Sequence, residues 1–198
     1  MTAIIGIKDG KKIIVGSDGR TSTEVDGWAI REKSSYKVQR VNGSPNCLIA
    51  CSGNVDSIFV VHNIKNLLGG KNDVTYKYMV NVVVPKIYDA LEKSNLIKKT
   101  EKYNMINVYI IVGTKSHLYK ITTYGVVSEC SNVAIAGSGE DMLLCKYQAI
   151  KDKKISAREK VIQCVKHAIE YGQSIGYPIT LASTDSTDEI EVIEEKRD

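Results

Sequence analysis

The spacing of apolar residues changes period several times along the chain, and that alternation restricts the fold more than any other feature. Two apolar runs, Thr2–Ile7 and Lys12–Ser17, flank the turn-like Lys8-Asp9-Gly10-Lys11, which predicts a β-hairpin. A polar stretch, Gly19 to Ser35, carries no such pattern. Tyr36–Val41 and Cys47–Cys51 then form a second expected hairpin, turning through Asn42-Gly43-Ser44-Pro45. From Ser52, a plausible N-cap, the apolar residues Val55, Ile58, Phe59, Val61, Ile64, Leu67 and Leu68 recur at helical spacing, with Gly69-Gly70 as the stop. A second helix is expected from Tyr76 to about Lys98. Its Val82-Val83-Val84-Pro85 run predicts a kink or break near Pro85, since β-branched residues and proline disfavour a helix interior.

Strand patterns return at Ile106–Gly113, His117–Thr122 and Gly125–Cys130. After Val133–Ala136 and Gly137-Ser138-Gly139, helices are expected to about Lys151 and from Ser156 to Tyr171. Ile179–Ser183 and Glu189–Glu194 close the chain as a last hairpin. Strands, two helices, strands, two helices, strands: this order predicts an α+β fold, a four-layer αββα sandwich of two antiparallel sheets with helices on the outer faces. No linker interrupts it, so residues 1–198 are expected to form one domain.

The chemistry classes narrow next. Five cysteines, Cys47, Cys51, Cys130, Cys145 and Cys164, are odd in number and form no C-x-x-C pair. They are read as buried or semi-buried thiols in a reducing compartment, not as a zinc site or a disulfide framework. Lysines and arginines are dispersed and the net charge is a modest +4, so no nucleic-acid partner is expected. No apolar run approaches the roughly 20 residues of a membrane span, and the first residues lack a secretory pattern. A cytoplasmic protein without membrane contact is the expectation. His62, His117 and His167 have no metal-ligand spacing and are read as structural or solvated.

Thr2 is the residue with the most chemical potential. A threonine hydroxyl is a weak nucleophile, but at a chain terminus the α-amine, with a pKa of roughly 7.7–8.0, supplies its own base. That requires removal of Met1. A retained Met1 would tie the amine into a peptide bond.

The opening T-A-I-I-G-I-K-D-G-K-K-I-I-V-G-S-D-G-R-T resembles the start of proteasome β subunits, which are N-terminal-nucleophile hydrolases. It is most similar to the bacterial heat-shock-locus-V type of proteasome-like peptidase, whose Asp-Gly is matched by Asp18-Gly19. The resemblance implies a nucleophile at Thr2, an aspartate at Asp18 ending the second strand, and a lysine at Lys37 starting the next; Lys33 is the rival. Ala50-Cys51-Ser52-Gly53-Asn54 resembles the segment before the family's first long helix. It implies an oxyanion-binding amide at Gly53 and a substrate pocket lined by Cys51 and Val55, favouring apolar side chains. Ala136-Gly137-Ser138-Gly139 resembles the Gly-Ser-Gly that holds the family's catalytic serine, here Ser138; alone it would read as a helix N-cap. Tyr171-Gly172-Gln173-Ser174-Ile175-Gly176 departs from the proteasome pattern because it has no aspartate.

What the resemblance implies is a threonine endopeptidase acting on polypeptides, in a homo-oligomeric ring served by a separate ATPase unfoldase. No cofactor is required, although a monovalent cation held by backbone oxygens of the 172–178 loop is implied by the bacterial relatives. Two other readings keep the fold. An amidase or transpeptidase would change the acyl acceptor, and a non-catalytic scaffold subunit would have lost the reaction.

Overall fold

The computed structural model describes residues 2–25, 28–33 and 37–195, with side chains left aside for 22–36. Two five-stranded antiparallel sheets face each other. One has the order β12-β1-β2-β13-β14, the other β11-β10-β9-β6-β5. The first is built from β1 (Ile4–Asp9), β2 (Lys12–Asp18), β12 (Val133–Ala136), β13 (Ile179–Ser183) and β14 (Glu191–Ile193). The second uses β5 (Val38–Val41), β6 (Ser44–Gly53), β9 (Val108–Gly113), β10 (Leu118–Ile121) and β11 (Val127–Cys130). Helices α1 (Val55–His62), α2 (Tyr76–Tyr78) and α3 (Val84–Lys93) cover the second sheet; α4 (Glu140–Ile150) and α5 (Ala157–Tyr171) cover the first. This is the expected αββα sandwich.

Strand alternation divides the core into three layers. On β6, Leu48 and Ala50 point between the sheets, while Cys47, Ile49 and Cys51 point into the layer beneath α1 and α3. On β1, Ile4 faces the other sheet, and Ile5 and Ile7 face α4 and α5. Both inner strands are apolar on both faces, as a doubly covered sheet requires.

Several local expectations are corrected. The polar stretch after Gly19 is a hairpin of β3 (Arg20–Val25) and β4 (Trp28–Lys33), forming a separate two-stranded ribbon. Its sequence alternates no apolar face because the ribbon joins neither large sheet. Helix α1 is shorter than expected: β6 runs through Ser52, and Asn54 is the N-cap, its side chain accepting from Ser57 N. The helix ends at His62, where the Asn63 N–H bonds back to Phe59 O and Val60 O. Leu67 and Leu68 are buried from a turn and not from a helix.

The break near Pro85 takes a definite form. Residues Met79–Val83 are π-helical, with Val84 N–H donating to Met79 O five residues back, so the wider turn comes just before the proline. Pro85 follows at once in a backbone that is helical from Tyr76 to Lys93, so the wide turn lies where the proline interrupts the i→i−4 ladder. α3 stops at Lys93, short of the expected Lys98, because Asn95 adopts φ 58° and the chain leaves to pair β7 (Lys98–Lys99) with β8 (Asn104–Met105). Cys145 is exposed, contrary to the expectation for the thiols. No helix among the described residues is long and apolar enough to cross a membrane.

Candidate active site

Asp18 is the centre of the site. It ends β2, is fully buried, and its carboxylate accepts bonds from four sides. Oδ1 receives Ala3 N at 2.9 Å and Lys37 Nζ at 2.8 Å; Oδ2 receives Arg20 N at 3.2 Å and Gly176 N at 3.3 Å. A carboxylate can stay charged in a core only with such compensation. It thereby ties the strand carrying Thr2, the turn after β2, the residue before β5 and the loop after α5 to one point.

Lys37 is the matching cation, 4% exposed, and it also donates to Arg20 O. Burial pulls its pKa below the ordinary lysine value, Asp18 opposes that through charge and hydrogen bond, and the Arg20 charge lowers it further. Lys37 lies just before β5, not at the start of the strand that follows β2, since β3 and β4 intervene. The side chain of the rival Lys33 lies outside the described residues, as does Met1.

Thr2 reaches the site from the β1 end. Its N donates to Ser138 Oγ at 2.9 Å, and its carbonyl accepts from Gly139 N at 3.0 Å. The close approach depends on Gly137, which has φ +99°; a Cβ there would lie 2.2 Å from Thr2 O. Ser138 therefore has a site contact that a simple helix N-cap would lack, and α4 begins two residues later without a side-chain cap.

A cleft of about 410 Å³ opens at this edge between the sheets. Thr2, Gly137 and Ser138 form one wall; Ser52, Gly53 and Tyr109 form the other, and Glu140 closes the rim. Gly53 has φ +142°, and a Cβ on it would lie 2.4 Å from Asn107 O, so only glycine fits this turn out of β6. Cys51 sits elsewhere: it is fully buried in the layer under α1 and α3, and burial holds its thiol pKa far above the usual value. Val55, half-buried at the start of α1, is likewise not on this cleft.

Sequence reading thus brought together Thr2, Asp18, Lys37, Ser138 and Gly53, and missed Ser52, Tyr109, Glu140 and Arg20. Alternation would have found the first two: Ser52 follows Ala50 by two on β6, and Tyr109 precedes Ile111 by two on β9, both on the inter-sheet face.

In the 172–178 loop, the expected place of a monovalent cation, Gly172 O accepts from Ile175 N, Gly176 O from Gly19 N, and Ile175 O from Arg20 Nη1 at 3.3 Å. The Arg20 side chain lies against Gly176.

Comparison with solved structures finds the same architecture at low identity. A protein from Thiobacillus denitrificans, called BPH and solved in complex with epoxomicin, superposes with TM-score 0.69 at 15% identity, covering 91% of this chain and 97% of that one. Anbu, the ancestral beta-subunit, from Yersinia bercovieri gives 0.72 at 12%, covering 98% and 87%. Eukaryotic HslV from Trypanosoma brucei gives 0.65 at 14%, covering 91% and 98%. Residues 2–182 match the sequence family described as proteasome subunit, and the chain belongs to that family.

Proposed function

We propose that the chain is a threonine peptidase that uses Thr2, freed by removal of Met1, as its nucleophile. The observation that carries this reading is the pair of adjacent backbone contacts at the chain start. Thr2 N bonds to Ser138 Oγ, and Ala3 N bonds to the Asp18 carboxylate that also holds Lys37.

In the proposed reaction the α-amine takes the proton of the Thr2 hydroxyl, and Oγ bonds to the peptide carbonyl carbon. The oxygen of the tetrahedral intermediate gains negative charge and faces the Gly53 N–H. The proton passes from the amine to the leaving nitrogen, the C–N bond breaks, and an ester to Thr2 remains. Water, deprotonated by the same amine, then hydrolyses the ester. Ser138 orients the amine. Lys37 favours loss of the hydroxyl proton through its charge, and Asp18 holds Lys37 in place.

No cofactor enters these steps. The Asp18-Gly19 pair supports likeness to the bacterial heat-shock-locus-V type within the family. A homo-oligomeric cytoplasmic ring, with polypeptide substrates delivered by a separate ATPase unfoldase, fits that reading.

The test is intact mass before and after exposure to epoxomicin. Loss of one methionine and gain of one adduct per chain is expected, together with no adduct and no turnover in a folded Thr2→Ala variant. Peptide cleavage surviving in Thr2→Ala would overturn the assignment.

A further inference from the structure

Among the described residues that line the Thr2 cleft, Glu140 is the one with a formal charge. This residue opens α4, its N–H bonded to Gly137 O at 3.1 Å, so its backbone is fixed two residues from Ser138. Its Oε1 accepts from Lys120 Nζ at 2.8 Å. Lys120 reaches it from β10, with its ammonium 6.0 Å from the centre of the Tyr109 ring. The two partners are not equally open. The Glu140 side chain is 45% exposed and that of Lys120 21%, and Lys120 does not line the cleft. The carboxylate is therefore the more open partner, held in orientation by the ammonium. A group in the cleft meets Glu140, which lines it, and not Lys120.

The direction of the proposed reaction says which group that is. In that reaction the carbonyl oxygen of the scissile bond faces Gly53, and Ser138 holds the amine. That amine must pass a proton to the leaving nitrogen, so the leaving half of the substrate departs along the Ser138 wall. Glu140, two residues on from Ser138, is the next side chain along the chain that lines the cleft.

We infer that Glu140 selects for a cationic side chain, lysine or arginine, on the residue that follows the scissile bond. This rests on the peptidase reading above. Among the described lining residues no other is charged, so selection for charge rests on Glu140. A cationic side chain in the cleft can touch the more open carboxylate directly, whereas Lys120 does not line the cleft.

The test uses the Thr2→Ala chain, which binds without cleaving, and short peptides that begin with Lys, Ala or Glu and are otherwise identical. Titration calorimetry should give tighter binding of the Lys peptide than of the Glu peptide by about three- to fivefold, the scale of a half-exposed ion pair. Adding Glu140→Gln should remove the contrast, and adding Glu140→Lys should reverse it. Raising the salt concentration should shrink it. Equal affinities in Thr2→Ala with and without Glu140→Gln overturn the inference. Internally quenched peptides with Lys or Glu after the scissile bond separate the two claims. A charge contrast in binding with no cleavage by the unsubstituted chain would sink the peptidase reading alone. Cleavage that ignores the charge would sink only the role of Glu140.

Discussion

Asp18 and Lys37 form a buried ion pair whose parts cannot be removed singly without penalty. Replacing Lys37 by methionine keeps the volume and leaves a charged carboxylate facing Ala3 N and Gly176 N without its cation. We expect urea denaturation to register a loss of about 3–5 kcal/mol, with turnover abolished. The double variant Asp18→Asn/Lys37→Met should recover much of that stability and none of the turnover. Recovery of activity in the double variant would contradict the role given to Lys37. A different constraint acts at Gly137. A methyl group there collides with Thr2 O and opposes φ +99°. Gly137→Ala is expected to shift Thr2 relative to Ser138 and reduce turnover by more than about tenfold, since small misplacement of reacting groups costs on the order of a hundredfold. A rate assay beside a denaturation curve separates this from simple unfolding.

Among the elements, α1 ends on a buried titratable group. His62 ends it, buried, with Nε2 lacking a hydrogen-bond partner, and burial pushes its pKa down from 6.5 to about 4. The folded chain holds this imidazole neutral while the unfolded chain protonates it below about 6.5. Stability is therefore complete above that pH, falls as pH drops toward 4, and levels off below. The expected loss is roughly 3 kcal/mol. Denaturation midpoints across this window should fall, and His62→Gln should flatten the slope. Elements with a repeating apolar face were legible in the sequence: β13 and α5 have the expected limits, and Pro85 announced a disturbance. The short α1 was not, because Leu67 and Leu68 keep helical spacing while lying in a turn that buries them equally well. The β3–β4 ribbon was invisible because its sequence has no apolar alternation, and it pairs with neither large sheet. At the site, charged and hydroxyl groups in motifs could be read, but Ser52 and Tyr109 required knowledge of which strand face opens to the cleft.

At the scale of the whole molecule, the two sheets meet closely where a side chain is missing. A Cβ on Gly113 would lie 2.9 Å from Ile13 Cγ2 across the interface. Gly113→Val should therefore cost about 1–3 kcal/mol by overpacking the inter-sheet layer. A denaturation midpoint equal to that of the unsubstituted chain would mean that the layer has slack. The order of the first sheet has a temporal consequence. β1 and β2 come well before β12 and β13 in the chain, yet they sit between them. Ser138 follows β12, and Gly176, which closes the carboxylate of Asp18, comes later still. Until those segments are made, Thr2 lacks both flanks of its strand pair, so the peptidase proposed above would be unable to cut itself or its neighbours on the same messenger. On that reading the topology works as a built-in delay, arming Thr2 only after β12 and β13 have been made.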